Sequence, residues 1–205
     1  MEKKLRVLVF AGARGDLSTE GMKTAAVRVG EILAKEGHIY IQGGWDKGFM
    51  GLTLEAYRKN GGLCVEVITT EAFKGFLEQC KEFWDELHIA PNLAQRFQMF
   101  QDQSDVTIAL PGGMGTVSEL IYMNETQVAQ EHNKPIAVIN TDGFYNGLLE
   151  QFETMKKCGH SVPQKNRMTF MDNTEKLSEF LSLCKPTELK GASSVSVADL
   201  WGDKR

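Results

Sequence analysis

The sequence has no apolar run that approaches the roughly 20 residues needed to cross a bilayer, and it has no cluster of basic residues. The first absence argues against membrane insertion. The second, together with a formal net charge of -4, argues against non-specific nucleic-acid binding. Residues 1–5 lead directly into a predicted strand and lack the apolar core of a signal peptide. We therefore expect a cytoplasmic protein that binds neither membrane nor nucleic acid.

Cysteine and histidine are scarce, with four of each in the chain. The cysteines show neither the paired spacing of zinc sites nor the density of a disulfide-linked secreted domain, so we expect them to pack in the core. The histidines match no metal motif and are expected at the surface or in packing. The sequence thus predicts no metal and no cofactor. These residues are Cys64, Cys80, Cys158, Cys184, His38, His88, His132 and His160.

Apolar residues are present in sufficient number for a full core, since 42% of the 205 residues are hydrophobic and 24% are charged. We expect one domain over residues 1–184, without internal repeats. After Cys184 the periodicity is lost, and residues 185–205 gather serine, glycine and charge. This segment is expected to be a flexible tail, with Leu200 and Trp201 as a docking point.

Short apolar runs alternate along the chain with longer segments of helical periodicity. This alternation predicts a Rossmann-like, doubly wound α/β fold, in which helices cover both faces of a mostly parallel sheet. Ligands of such folds bind beyond the carboxyl ends of the strands, near a topological switch point. The predicted strands are residues 6–11, 38–42, 63–69, 106–110 and 135–140; the predicted helices include residues 22–35, 117–130 and 145–157.

A glycine-rich segment, residues 110–119, joins a buried strand to a helix and reads Leu-Pro-Gly-Gly-Met-Gly-Thr-Val-Ser-Glu. Its glycines permit backbone torsions that other residues resist, so a phosphate can approach the main chain closely. The helix start adds free amide donors and the positive end of the helix dipole. We expect an anion site formed by Gly112, Gly113, Met114, Gly115 and Thr116.

The pair Thr116 and Glu119 also has the T-x-x-E spacing of a capping box, in which both side chains satisfy amides at a helix start. A cap does not require the preceding glycines, so we favour a functional role for Glu119, and both roles could hold in turn. The segment lacks the Lys-Ser or Lys-Thr pair of other phosphate loops and the separated glycines of dinucleotide sites.

The pattern Pro-Gly-Gly-x-Gly-Thr-x-x-Glu at residues 111–119 resembles the signature of the Lonely Guy (LOG) family, with every fixed position present. These proteins are cytokinin riboside 5'-monophosphate phosphoribohydrolases once labelled lysine decarboxylases, within a wider nucleotide-binding superfamily. The resemblance extends from about Val7 to Phe180. It implies hydrolysis of the N-glycosidic bond of a nucleoside 5'-monophosphate, without a metal. Lysine decarboxylation itself is not expected, because no lysine is marked for a Schiff base with a pyridoxal cofactor.

Three further segments resemble the family in part. Residues 43–51 match its second glycine cluster, which places Gly43 and Gly44 near the nucleotide. Trp45 replaces a glycine there, and its ring could narrow the cleft, stack on a base or point into the core. Gly12 permits a close turn after the first strand, while Arg14 could bind phosphate or be merely exposed.

The third segment, residues 93–100, keeps only the arginine of the family's Met-His-x-Arg-Lys. The resemblance makes Arg96 the partner of Glu119, although such arginines usually form weak surface ion pairs. Ala94 and Phe97 stand where the family has histidine and lysine. These changes favour an altered site, and they keep open a second class of function, a non-catalytic nucleotide-binding or carrier protein like the related molybdenum-cofactor carrier.

The expected chemistry requires few groups. Positive charge develops at the anomeric carbon as the base departs, and the Glu119 carboxylate would stabilise that charge or activate water. Arg96 would orient the carboxylate or the ribose. We also expect a homodimer, because family resemblance implies one and the helix 117–130 is apolar around more of its circumference than one sheet face needs. The residues concerned are Leu120, Ile121, Met123 and Val128.

Overall fold

The computed structural model describes residues 4–14, 18–73, 84–160, 168–187 and 195–196. Within these ranges, eight strands form one sheet and α-helices pack against it. The strands are β1 (Arg6–Phe10), β2 (Ile39–Gln42), β3 (Val65–Thr70), β4 (Glu86–Ala90), β5 (Val106–Ala109), β6 (Ile136–Ile139), β7 (Met168–Met171) and β8 (Val195–Ser196). The helices are α1 (Glu20–Lys35), α2 (Gly48–Lys59), α3 (Leu93–Gln103), α4 (Met114–Val128), α5 (Asn146–Lys157) and α6 (Leu177–Leu183).

The strand order in the sheet is β7-β6-β5-β1-β2-β3-β4-β8. The first seven strands are parallel, and β8 pairs antiparallel with β4. The order reverses direction between β1 and β5, so their carboxyl ends form the topological switch point. The Rossmann-like, doubly wound fold predicted from the alternation of strands and helices is thus confirmed.

Two hydrophobic clusters lie on opposite faces of the sheet. Along β1, Val7 and Val9 face the cluster that contains α1, α2 and α6, whereas Leu8 and Phe10 face the cluster that contains α3 and α4. All four side chains are at most 2% exposed. This alternation follows from the two-residue period of a strand buried on both faces. The central strands therefore form a rigid support for the loops at their ends.

Helix α4 begins earlier than its sequence pattern predicts. Its N-cap is Gly113, whose extended backbone (φ -81, ψ -161) starts the helix without a side-chain cap. Thr116 is therefore the third helical residue, so the alternative role of Thr116 and Glu119 as a capping box is not formed. In contrast, Thr19 caps α1, because its Oγ1 accepts a hydrogen bond of 3.1 Å from the amide of Met22.

Part of the segment after Cys184 contacts the sheet. The amide and the hydroxyl of Thr187 donate to Asp105 Oδ1 at 2.6 and 2.8 Å, and β8 extends the sheet beside β4. Leu200 and Trp201 lie outside the described residues, and the flexibility of the tail stays a prediction. Among the helices of the described ranges, none has the length and apolar character that would let it cross a membrane.

Candidate active site

The three glycine-rich segments meet at the switch point. The amide of Gly12, after β1, donates to the carbonyl oxygen of Pro111, after β5, at 3.0 Å. The carbonyl of Gly12 in turn accepts from the amide of Phe49, at the start of α2, at 2.8 Å. Gly48 has a φ of +61°, and a Cβ there would lie 2.5 Å from the backbone of Ala13. Only glycine permits this approach, so the sequence brings three loops together through their main chains.

The loop before α4 presents amides to the open side of this junction. The first backbone hydrogen bond of the helix runs from the amide of Val117 to the carbonyl oxygen of Gly113 at 3.1 Å. The amides of Met114, Gly115 and Thr116 precede it and therefore have no acceptor inside the helix. A Cβ on Gly115 would meet no described atom within 4 Å, so this surface is open to a ligand.

Arg96 reaches the same junction from the first turn of α3. Its Nε donates to the carbonyl oxygen of Ile68, in β3, at 3.0 Å, and its Nη2 donates to that of Gly43, after β2, at 3.3 Å. Its guanidinium carbon lies 4.7 Å from the centre of the Phe100 ring. These contacts fix the guanidinium plane, and Nη1 lies 3.3 Å from Glu119 Oε1.

Arg96 and Glu119 form a largely buried ion pair, with side chains 12% and 13% exposed. Burial raises the pKa of Glu119 from 4.5 to about 7, although the charge of Arg96 opposes this shift. Burial also lowers the pKa of Arg96, and Glu119 opposes that shift. A carboxyl group that titrates near neutral pH, held by a fixed cation, is suited to stabilising charge or to proton transfer.

A cavity of about 460 Å³ connects these groups. It is large enough for a nucleotide-sized ligand. Among the residues predicted for the site, Gly112 and Met114 do not line it. Met114 is 80% exposed, and a Cβ on Gly112 would face Thr116 Oγ1 at 2.2 Å. The predicted residues that do line it are Gly12, Arg14, Gly43, Gly44, Arg96, Gly113, Gly115, Thr116 and Glu119.

The aromatic residues that stand where the family has glycine or lysine take different positions relative to the cavity. Trp45 is half-buried and lines the cavity, whereas Phe97 packs against Tyr122 with ring centres 5.1 Å apart and lies outside the lining. Phe73, which is 45% exposed, also lines the cavity and was not predicted. Its signal in the sequence is its position just beyond β3, at the carboxyl edge of the sheet. Two aromatic rings therefore border the space beside Arg96.

The doubly wound sheet, with a glycine-lined cavity at its switch point, defines a Rossmann-like α/β protein with a ligand site. A sequence model of the family described as "Possible lysine decarboxylase" matches residues 50–181. The chain belongs to this family, and the resemblance to LOG proteins predicted from residues 111–119 is confirmed.

Similar proteins cover most of the chain. A rice protein named "Probable cytokinin riboside 5'-monophosphate phosphoribohydrolase LOGL5" is 32% identical over 185 residues, which are 86% of this chain and 72% of the rice protein. The Arabidopsis thaliana protein "Cytokinin riboside 5'-monophosphate phosphoribohydrolase LOG3" is 29% identical, over 85% of this chain and 82% of its own. A Mycobacterium tuberculosis protein with the same enzyme name is 30% identical, over 79% and 84%.

Solved structures show the same fold at low identity. The molybdenum cofactor carrier protein of Chlamydomonas reinhardtii superposes with a TM-score of 0.61 at 18% identity, covering 88% of this chain and 97% of its own. The molybdenum cofactor binding protein of Rippkaea orientalis gives a TM-score of 0.58 at 20% identity, covering 89% and 96%. At these identities the likeness describes the fold alone.

Proposed function

We propose that this protein hydrolyses the N-glycosidic bond of a nucleoside 5'-monophosphate and releases the free base and ribose 5-phosphate. The observation that carries this proposal is the 3.3 Å pair of Arg96 and Glu119 beside an amide-lined cavity. One wall of the cavity suits an anion, and the other offers a carboxylate for a cationic transition state.

The 5'-phosphate is assigned to the loop before α4. The amides of Gly113, Met114, Gly115 and Thr116 lie at the start of α4. Hydrogen bonding and the helix dipole both favour an anion at this position. Arg14 is exposed at the edge of the same cavity and would add a cation. Glu119 follows Thr116 by about one helical turn, which places the carboxylate near a ribose attached to that phosphate.

The reaction breaks the bond from the anomeric carbon to the base nitrogen. Positive charge on the ribose is stabilised by the Glu119 carboxylate, and water adds to the anomeric carbon while the base leaves with a proton. Because Glu119 has a pKa of about 7, it can accept the proton of the attacking water at neutral pH. Arg96, held by two carbonyl groups, keeps the carboxylate in place.

The names of the relatives support a nucleoside monophosphate as substrate, and cytokinin riboside 5'-monophosphate is a candidate. Trp45 and Phe73 border the cavity and offer faces for stacking on a base. A second function, a nucleotide-binding carrier without hydrolysis, is favoured by Trp45 in place of a glycine and by the loss of the family's histidine and lysine at Ala94 and Phe97.

A screen of nucleoside 5'-monophosphates, in which free base and ribose 5-phosphate are both quantified, tests the proposal. We expect at least one of these nucleotides to be hydrolysed, with free base and ribose 5-phosphate formed in equal amounts. Tight binding of a nucleotide without release of base would support the carrier function instead. If no nucleotide is bound and no base is released, the hydrolase and the carrier functions are both contradicted.

We also propose a cytoplasmic homodimer. The apolar side of α4 contributes Leu120 and Met123 to the core of its own domain, but Val128 is 44% exposed and Ile121 is only partly buried. Partly exposed apolar side chains of this kind favour a symmetric contact between two copies. The cytoplasmic location is supported by Cys64 and Cys158, which form no disulfide within the described residues, as expected in a reducing compartment.

A further inference from the structure

A second polar cluster lies near the opposite, amino-terminal edge of the sheet. Cys64 immediately precedes β3 and Glu66 is the second residue of that strand, while Glu86 and His88 are two residues apart on β4. In the parallel register Glu66 is opposite Glu86, and Ile68 is opposite His88. Because side chains two residues apart on a strand share a face, Glu66, Glu86 and His88 lie on one face of the sheet, and Cys64 Sγ lies beside the two glutamates.

The ligand atoms in this cluster are close together. Cys64 Sγ and one carboxylate oxygen from each of Glu66 and Glu86 lie within 4.8 Å of one another. His88 Nε2 lies 3.5 Å from Glu66 Oε2 and 3.9 Å from Glu86 Oε2. Bonds of about 2.0–2.3 Å to a tetrahedral ion would place its ligand atoms roughly 3.3–3.8 Å apart. The group of Cys64, Glu66 and Glu86 must therefore contract, and His88, which approaches the two glutamates, must turn toward it.

Buried polar atoms in the cluster lack hydrogen bonds. His88 is 3% exposed and Glu66 is 0% exposed. Among the described residues, neither ring nitrogen of His88 nor Oε1 of Glu66 has a hydrogen-bond partner. Arg6 pairs with the other oxygen of Glu66, Oε2, and leaves Oε1 available. Leaving such atoms unsatisfied is costly, and a cation between them would remove that cost.

We propose that Cys64, Glu66, Glu86 and His88 bind a divalent cation of the zinc type. The mixed sulfur, nitrogen and oxygen donors suit Zn²⁺ better than Mg²⁺ or Ca²⁺, which prefer oxygen alone. On binding, the Cys64 thiol releases its proton to solvent and ligates as a thiolate. The Cys64 thiolate and the carboxylates of Glu66 and Glu86 are negative, and Arg6 beside them offsets only part of that charge. A divalent cation would neutralise the remaining negative charge.

The ion would join β3 to β4 and has no part in the proposed cleavage, because the glycine-lined cavity lies at the carboxyl edge. Glu86 has a side chain 40% exposed and gives the ion a path from solvent. The sequence alone did not predict this site, because its four residues form two separate i, i+2 pairs that match no metal-binding motif. The sequence led us to expect Cys64 in the core and His88 at the surface or in packing.

Titration of the full-length reduced protein with Co²⁺ tests the site. We expect one Co²⁺ per chain, with a thiolate-to-cobalt charge-transfer absorption that Zn²⁺ removes by displacement. Cys64→Ser should abolish the absorption and weaken Co²⁺ binding by more than about tenfold. The matched control is Cys158→Ser, at an exposed free cysteine. This variant should keep the charge-transfer absorption and the Co²⁺ affinity of the unsubstituted protein.

Thermal unfolding gives an independent measurement. Zn²⁺ at about a hundredfold excess over its Kd should raise the Tm of the unsubstituted protein and of Cys158→Ser by about 5–10 °C. In Glu86→Gln, whose native side chain is 40% exposed, that increase should be at least halved. Absence of stoichiometric Co²⁺ binding, an absorption that survives in Cys64→Ser, or one that disappears in Cys158→Ser would overturn the proposal.

Discussion

Arg96 and Gly43 are in such close contact that no side chain fits between them. Nη2 of Arg96 donates to the carbonyl oxygen of Gly43 at 3.3 Å, and a Cβ on Gly43 would lie 2.5 Å from that nitrogen. The glycine after β2 thus permits the position of the arginine that holds Glu119. The ion pair therefore depends on a residue that is far away in the sequence.

Gly43→Ala should displace the Arg96 guanidinium and lower kcat by about tenfold or more, because misplacing a catalytic group by a fraction of an ångström is costly. Steady-state kinetics with the best substrate of the screen measure the effect. Gly147→Ala, in the first turn of α5, is the control, because a Cβ there meets no described atom within 4 Å. Equal kcat values for Gly43→Ala and the unsubstituted protein would contradict the role given to this contact.

Glu119→Gln should abolish base release while nucleotide affinity stays within about tenfold, because the negative charge serves the transition state more than the bound substrate. Product release and calorimetric binding of AMP measure the two quantities. Glu125→Gln, at an exposed position of the same helix, is the control. A folded Glu119→Gln protein with near-normal turnover would show that another group performs the chemistry. A melting curve of each variant verifies that α4 is intact.

The pH dependence of the rate should report the ionisation of Glu119. Because burial raises its pKa to about 7 and the carboxylate is the active form, kcat/KM should rise with pH up to about 7 and then level off. The substrate phosphate also titrates in this range, so AMP binding to Glu119→Gln is measured in parallel. A rate that falls as pH rises from 6 to 8 would instead assign Glu119 as a general acid.

The same shift predicts an effect on stability. A carboxyl group whose folded pKa is about 7 and whose ordinary value is 4.5 stabilises the fold fully below pH 4.5, and this contribution is lost as pH rises through 7. The loss is about 3 kcal/mol at most. Urea unfolding at several pH values should therefore show a smaller decline for Glu119→Gln than for the unsubstituted protein. Identical declines would mean that Glu119 titrates at its ordinary pKa.

The sequence was informative where local chemistry alone determines structure. The glycine segments at residues 43–51 and 110–119 were located correctly, since turns after buried strands leave a local pattern. Strands β4 and β7 were missed because they are short and interrupt their apolar residues with polar ones, as in Glu-Leu-His-Ile-Ala. Their pairing depends on neighbouring strands that no local pattern reveals.

In the candidate site, too, some residues could be predicted from local sequence and others only from the fold. The pairing of Arg96 with Glu119 came from family resemblance, because two helices bring the residues together and no spacing encodes the contact. Phe73 carries no motif, and only the sheet order places it at the cavity. The start of α4 was misjudged because Thr116 and Glu119 fit a capping box that an earlier glycine N-cap makes unnecessary.

Phosphate recognition should depend on the open surface at Gly115. Because a Cβ there meets no described atom within 4 Å, Gly115→Val should fold normally and project its side chain into the space of the ligand. We expect AMP affinity to fall by about tenfold or more. Adenosine, which lacks the anion, should bind far more weakly than AMP and be little affected by the substitution.

Calorimetry with both ligands measures this difference. Arg14→Ala should weaken AMP binding and leave adenosine binding unchanged, because Arg14 lines the cavity and its charge would pair with the phosphate. Equal affinities of the unsubstituted protein for AMP and adenosine would contradict an anion site formed by the loop before α4.

The partly exposed apolar residues of α4 predict a homodimer at micromolar concentration. Val128 is 44% exposed, and Ile121, about two helical turns before it on the same side, is only partly buried, so Val128→Glu should place a charge in the contact and weaken dimerisation by about tenfold or more. Light scattering gives the mass of each protein. The control is Leu183→Glu, because Leu183 is 76% exposed on α6, on the other side of the sheet. If the unsubstituted protein is strictly monomeric and fully active, neither its site nor its fold needs a second subunit.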